Sequence, residues 1–137
     1  MVAKLFPWKG DPDLPDQDDF TAKLMDDMPE ELLDFVKTKV NSFIKWDLVR
    51  FFHENPHTID TAENIAKYAG RHLSAVAPEL EDLETNDIMD CRMVGDQVVY
   101  SLTQDATMRD LVNRFIIACE DRHFRVKAVY HIIRGMQ

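Results

Sequence analysis

The segment Thr61-Ala62-Glu63-Asn64-Ile65-Ala66-Lys67-Tyr68-Ala69-Gly70-Arg71-His72-Leu73-Ser74-Ala75-Val76-Ala77-Pro78-Glu79-Leu80-Glu81-Asp82-Leu83 reads as two short helices joined by a tight turn. Ile65, Ala66 and Ala69 give the first a narrow apolar face, and Gly70 supplies the turn. Asp60 or Thr61 opens it; Asp60 can cap, with Glu63 three residues on as a capping-box-like pair. In the second helix Leu73, Val76, Leu80 and Leu83 recur at helical spacing, which turns one face toward a core. Thr85-Asn86-Asp87 is a turn cluster that ends it.

Two strand candidates follow, Ile88–Val94 and Val98–Leu102, around the glycine-bearing tip Gly95-Asp96-Gln97, the pattern of a β-hairpin. Upstream, Pro29 suits a first helical turn. An apolar stripe through Leu33, Val36, Val40, Phe43 or Ile44, Leu48, Phe51 and Phe52 then runs to Glu54, where Pro56 ends it. Asn41-Ser42 leaves open whether residues 29–55 form one helix or two. Downstream, a helix from about Ala106 to Asp121 carries Met108, Leu111, Val112, Phe115 and Cys119 on one stripe. A last helix from near Phe124 has Val126, Val129, Tyr130 and Ile133 as its apolar side, with Lys127, His131 and Arg134 on another.

Three units result: an acidic, proline-rich arm over 1–28, a helix-rich domain over 29–104, and C-terminal helices over 105–137. The arm holds Pro7, Pro12 and Pro15 among Asp11, Asp13, Asp16, Asp18 and Asp19, with Leu5, Phe6 and Trp8 ahead of them as anchors for the domain or a partner. The chain has 137 residues, 16 Lys and Arg against 25 Asp and Glu, and a net charge of -9. Residues 106–137 run the other way, with six basic groups against three acidic ones. Hydrophobic residues at 45% supply a core, and no apolar run approaches the roughly 20 residues of a membrane span. The expectation is a cytoplasmic protein that does not enter the membrane.

The order helix, short helix, tight turn, helix, β-hairpin resembles a winged helix-turn-helix domain. Leu48–Pro56 looks like its first helix and the break after it, Thr61–Gly70 its second helix and turn, Ser74–Leu83 with Ile88 its third helix entering the strand, and Gly95-Asp96-Gln97 its wing tip. The likeness spans about residues 42–103 and implies a mainly α fold with a small β-hairpin. MarR- and ArsR-like bacterial regulators flank this frame with extra helices that dimerise, and the flanking helices here are similar in arrangement. The resemblance therefore implies a third helix that meets DNA or a partner, together with a homodimer.

The residues on that face decide between the two. Arg71, His72, Ser74, Ala75 and Pro78 on the third helix, with Arg92 and Gln97 in the wing, are the candidate partner- or DNA-contacting set. Only the first three suit phosphates, and Glu79, Glu81, Asp82 and Glu84 follow as carboxylates, while DNA affinity rests on Lys and Arg against phosphate. The expectation is a regulatory or adaptor module working through protein–protein contacts, with a dimeric MarR/ArsR-like DNA-binding regulator as the alternative. Leu111, Phe115, Ile116 and Ile117, apolar on several sides of one helix, are the candidate dimer interface.

Catalysis has little support. His53-Glu54-Asn55-Pro56-His57 spells a zinc-protease string, yet that chemistry needs both histidines one turn apart on a continuous helix, and Pro56 interrupts it. Cys91 and Cys119 read as buried small apolar residues. The isolated glycines offer no phosphate loop, so neither a metal nor a cofactor is expected.

Overall fold

A computed structural model describes residues 28–136. The acidic arm expected over 1–28 lies outside the described residues, apart from Met28, which is buried in the core. The described elements are α1 (Glu30–Thr38), α2 (Phe43–Glu54), β1 (Ile59–Thr61), α3 (Ala62–Ala69), α4 (Leu73–Thr85), β2 (Met89–Val94), β3 (Gln97–Leu102), α5 (Ala106–Ala118) and α6 (Arg122–Gly135). The fold is mainly helical with a small antiparallel sheet; α2, α3, α4 and the hairpin are consistent with a winged-helix-like arrangement, and helices flank them on both sides.

Residues 30–54 are two helices. Ser42 leaves the helical conformation, and its hydroxyl accepts the Lys45 N–H at 3.1 Å, capping α2. Pro29 stands just before α1, and Glu30 and Glu31 place negative charge against the helix's positive end. Between α3 and α4, Gly70 adopts φ 69°, the left-handed conformation that costs a residue with a Cβ most, and its N–H returns to the Lys67 carbonyl at 3.1 Å. The cap of α3 differs from the expected one. Thr61 accepts from Asn64 N at 3.3 Å, while Asp60 stays in β1 and binds the Thr61 N–H at 2.8 Å and the Asn64 side-chain amide at 2.7 Å.

The sheet has three strands, ordered β1-β3-β2, where the sequence pattern shows only the hairpin. Antiparallel β1 pairs Ile59 with Ser101 and Thr61 with Val99. In the hairpin Met89 faces Leu102 and Val94 faces Gln97, so the tip is the two residues Gly95-Asp96, with Gly95 at φ 65°. Strand alternation puts Met89, Cys91, Met93, Val98, Tyr100 and Leu102 on the sheet face toward α4, and Asp90, Arg92, Gln97 and Ser101 on the other.

The core gathers Phe35 and Val36 from α1, Leu48 and Phe52 from α2, Ile65 from α3, Val76, Leu80 and Leu83 from α4, and Ile88 and Met89 at the start of the hairpin. Phe115 of α5 is its hub on the far side. It is fully buried, with ring centroids 5.3 Å from Phe35, 5.7 Å from Trp46 and 6.1 Å from Phe124, so one side chain ties α1, α2 and α6 together. The last helix is rotated relative to its sequence reading. Phe124, Lys127, Ala128 and Ile132 face the core, whereas Val126 and Ile133 are about half exposed. No helix among the described residues is long and apolar enough to cross a membrane.

Candidate functional site: the α4–wing face

The exposed start of α4 and the adjoining β2–β3 hairpin, the expected wing, carry the residues singled out in the sequence as a contacting face. His72 and Ser74 are solvent-exposed there, as is Pro78, and Ala75 is half-buried. Pro78 sits inside α4 and cannot donate to the carbonyl one turn back.

Arg71 is exposed but engaged. Its Nε donates to Asp47 Oδ2 at 3.0 Å and a terminal nitrogen to the same oxygen at 2.5 Å, so the guanidinium lies along α2. Asp47 also holds Arg50 at 3.2 Å. The face therefore keeps few cations for phosphate.

The four carboxylates of α4 do not act alike. Glu79 is not solvent-facing as the sequence suggested: its side chain is 19% exposed, accepts a hydrogen bond from the Ser42 hydroxyl and lies 3.6 Å from Lys45 Nζ. Asp82 takes Lys45 Nζ at 3.0 Å, and Asn41 Oδ1 completes the ammonium's contacts at 2.9 Å. Lys45 is buried, which explains why three acceptors converge on it. Glu81 and Glu84 remain exposed and close enough to Tyr100 to raise its phenol above the usual range, after burial as the main cause.

Leu73, placed on the core face by its spacing, is instead 41% exposed. It lines a groove of about 330 Å³ with Thr61, Glu63, Asp96, Gln97 and Val98. Val98 is 40% exposed, and its cross-strand partner Met93 is 61% exposed on the same sheet face. The groove thus has an apolar floor between acidic walls. The structure brings Gln97, at the hairpin tip, to it and leaves Arg92 out, since Arg92 lies further along β2 and lines a separate cleft with Asp90 and Ser101. Sequence reasoning missed Leu73, Met93 and Val98, because an apolar residue at helix or strand spacing reads as core.

The candidate dimer residues are also separated. Phe115 belongs to the intrachain core, Leu111 and Ile116 are half-buried against it, and of the four only Ile117 is exposed. The zinc string is split: α2 ends at Glu54, His53 Nε2 contacts Asn113 Oδ1 at 3.0 Å, and His57 lies beyond Pro56 in the turn before β1. Cys91 is exposed, contrary to expectation, whereas Cys119 is half-buried and burial pushes its thiol up to about 12. Compared with protein-family models, curated proteins and solved structures, the chain matches none.

Proposed function

We propose that this chain is a regulatory or adaptor module of the winged helix-turn-helix superfamily that acts through protein–protein contacts, with the groove between α4 and the wing as its docking surface. The observation that carries the reading is the pairing of exposed Leu73 and Val98 with Glu63 and Asp96 in the groove, with Met93 exposed beside Val98 on the same sheet face, while Arg71 is held by Asp47. A phosphate backbone needs free cations and gains nothing from apolar side chains. A protein segment with one apolar anchor flanked by Lys or Arg satisfies both features, and depletion of charge at the centre with charge at the rim is how such interfaces are built.

Two measurements test this together. Native protein and the pair Leu73→Asp and Met93→Asp are titrated against random-sequence duplex at low salt, and each is used as bait in nuclease-treated extract of the source cell. Partners that survive nuclease with the native bait and vanish with both variants support the reading. Losing one buried Leu or Met anchor, about 1.5–3 kcal/mol, weakens a defined partner roughly tenfold or more. Clear, salt-sensitive affinity of the native protein for duplex would instead favour the DNA-binding regulator.

A further inference from the structure

On the sheet face turned away from α4, a second and larger cleft of about 450 Å³ opens between the strands, the turn before β1 and the start of α5. His57, Asp90, Arg92, Ser101, Gln104 and Arg109 line it. Each arrives from a different constraint. Asp90 and Arg92 are two apart on β2 and so share a face, and Ser101 sits opposite Asp90 across the ladder. Arg109 is fixed by its Nε, which donates to the Thr103 carbonyl at 2.6 Å and leaves its terminal nitrogens without a partner among the described residues. Asp90 accepts the Gln104 N–H at 3.3 Å.

The cleft carries two guanidiniums to one carboxylate in a chain whose net charge is negative. Carboxylates outnumber Lys and Arg 25 to 16 overall, yet neither Arg92 nor Arg109 has a carboxylate within ion-pairing distance among the described residues. Two unpaired guanidiniums and an imidazole converge on one depression beside the positive end of α5. The nearby Asp105 carboxylate is committed to capping that helix through the Met108 N–H at 2.8 Å. Asp90 is the lone carboxylate lining the cleft.

We propose that this cleft binds a small phosphate monoester. Two arginines in fork geometry match a dianionic phosphoryl group better than a single carboxylate, and His57 adds a third donor. Asp90 and Ser101 accept hydrogen bonds from hydroxyl groups on the rest of the ligand, so the class is a phosphorylated polyol or sugar. The volume lies within the range of small-ligand sites. The site is independent of the α4–wing groove, and its test does not depend on that reading.

β-Glycerophosphate and inorganic phosphate are titrated into the native chain at constant ionic strength, followed by amide and histidine-ring NMR shifts and by calorimetry. Citrate serves as a phosphate-free anion. The expected result is saturable shifts at His57, Arg92 and Ser101, with affinity for β-glycerophosphate on the order of millimolar or tighter. Arg92→Gln, an exposed substitution, and Arg109→Gln each weaken binding about tenfold, the loss of one charge-assisted contact. Arg122→Gln on α6 leaves it unchanged. Arg109→Gln also releases the Thr103 carbonyl, so Arg92→Gln keeps the test sound if that variant unfolds. Absence of shifts at these residues, equal weakening by Arg122→Gln, or citrate binding as tightly as β-glycerophosphate would each overturn the proposal.

Discussion

Replacing Lys45 with Met should destabilise the domain, and the size of the loss follows from who surrounds its ammonium. The Nζ has Asn41 at 2.9 Å, Asp82 at 3.0 Å and Glu79 at 3.6 Å, with the lysine side chain only 6% exposed. Methionine keeps the aliphatic stem and deletes the charge. Removing one partner of a fully buried ion pair costs about 3–5 kcal/mol, because the other charge is stranded. Here the stranding is partial. Asp82 is 60% exposed and rehydrates, so its share is that of a surface pair, about 0–1 kcal/mol. Glu79, 19% exposed, keeps the Ser42 hydroxyl but loses its cation, and the desolvation cost of the lysine disappears at the same time. The net expectation is a loss of about 1–2 kcal/mol. Urea unfolding followed by circular dichroism reads it as a lower midpoint at unchanged slope. Adding Glu79→Gln to the Met variant should recover part of the loss, since an amide needs no cation, whereas adding Asp82→Asn should recover little. Native-like stability of the Met variant, or rescue by Asp82→Asn rather than Glu79→Gln, would refute the reasoning.

Pro78→Ala should raise stability by about 1–2 kcal/mol: an interior helical proline costs about 3, offset by the freedom it removes from the unfolded chain; a lower urea midpoint would count against it. Glu81→Lys with Glu84→Lys, at the two α4 carboxylates with no ion-pair partner among the described residues, should create salt-sensitive affinity for random duplex at low salt. Continued absence of binding would show that charge is not what keeps this face off DNA. His131 sits with Nε2 unpartnered, and burial, then Lys37 and Arg134, lower its pKa. The unfolded chain therefore takes up its proton first, and stability present above pH 6.5 declines as pH falls below it. His131→Gln should flatten that decline in urea midpoints measured from pH 7.5 to 5. For Asp60, held below the usual carboxylate range by Tyr68, then Asn64, the sign is the familiar one: its contribution is present above pH 3.8 and disappears on acidification below it, and Asp60→Asn should remove that limb. With Phe115 in the core and only Ile117 of the four candidate residues exposed, the exposed Val126 and Ile133 of α6 offer a further apolar surface for a homodimer. Ile133→Glu should then sediment as a monomer where the native chain is dimeric, and identical profiles would exclude α6.

The frame was legible because its signals are local. Gly70 can take the left-handed turn, Val76, Leu80 and Leu83 share a face at any reasonable helix start, and Gly95-Asp96 fits only a tight hairpin. What escaped depends on tertiary choice. β1 is three residues long and includes a charged Asp60, so its strand character comes from pairing with β3 rather than from pattern. On α6, Val126, Val129, Tyr130 and Ile133 form the more hydrophobic side, yet the helix turns Phe124, Ala128 and Ile132 inward, and Lys127 buries its stem there. The aromatic pocket around Phe115 accepts Phe124, and Ala128 and Ile132 continue the same buried face along the helix. Composition cannot show which of two apolar faces finds the better socket.

The same distinction explains why the polar residues of the candidate face were misread as a set. Arg71, Glu79 and Asp82 look like free surface charges in sequence, but each bonds to α2, through Asp47, Ser42 or Lys45. These contacts tie the turn before α4, and Glu79 and Asp82 within α4, to α2 and its N-cap. A helix fixed this way presents its apolar Leu73 in a constant position relative to Val98 and Met93, at no further ordering cost when a partner arrives. Of Arg71, Glu79 and Asp82, only Arg71 could have held a phosphate, so its bond to Asp47 both fixes the turn before α4 and takes one cation from this face. On the proposed function, the preorganised apolar face and the engaged Arg71 come from one arrangement.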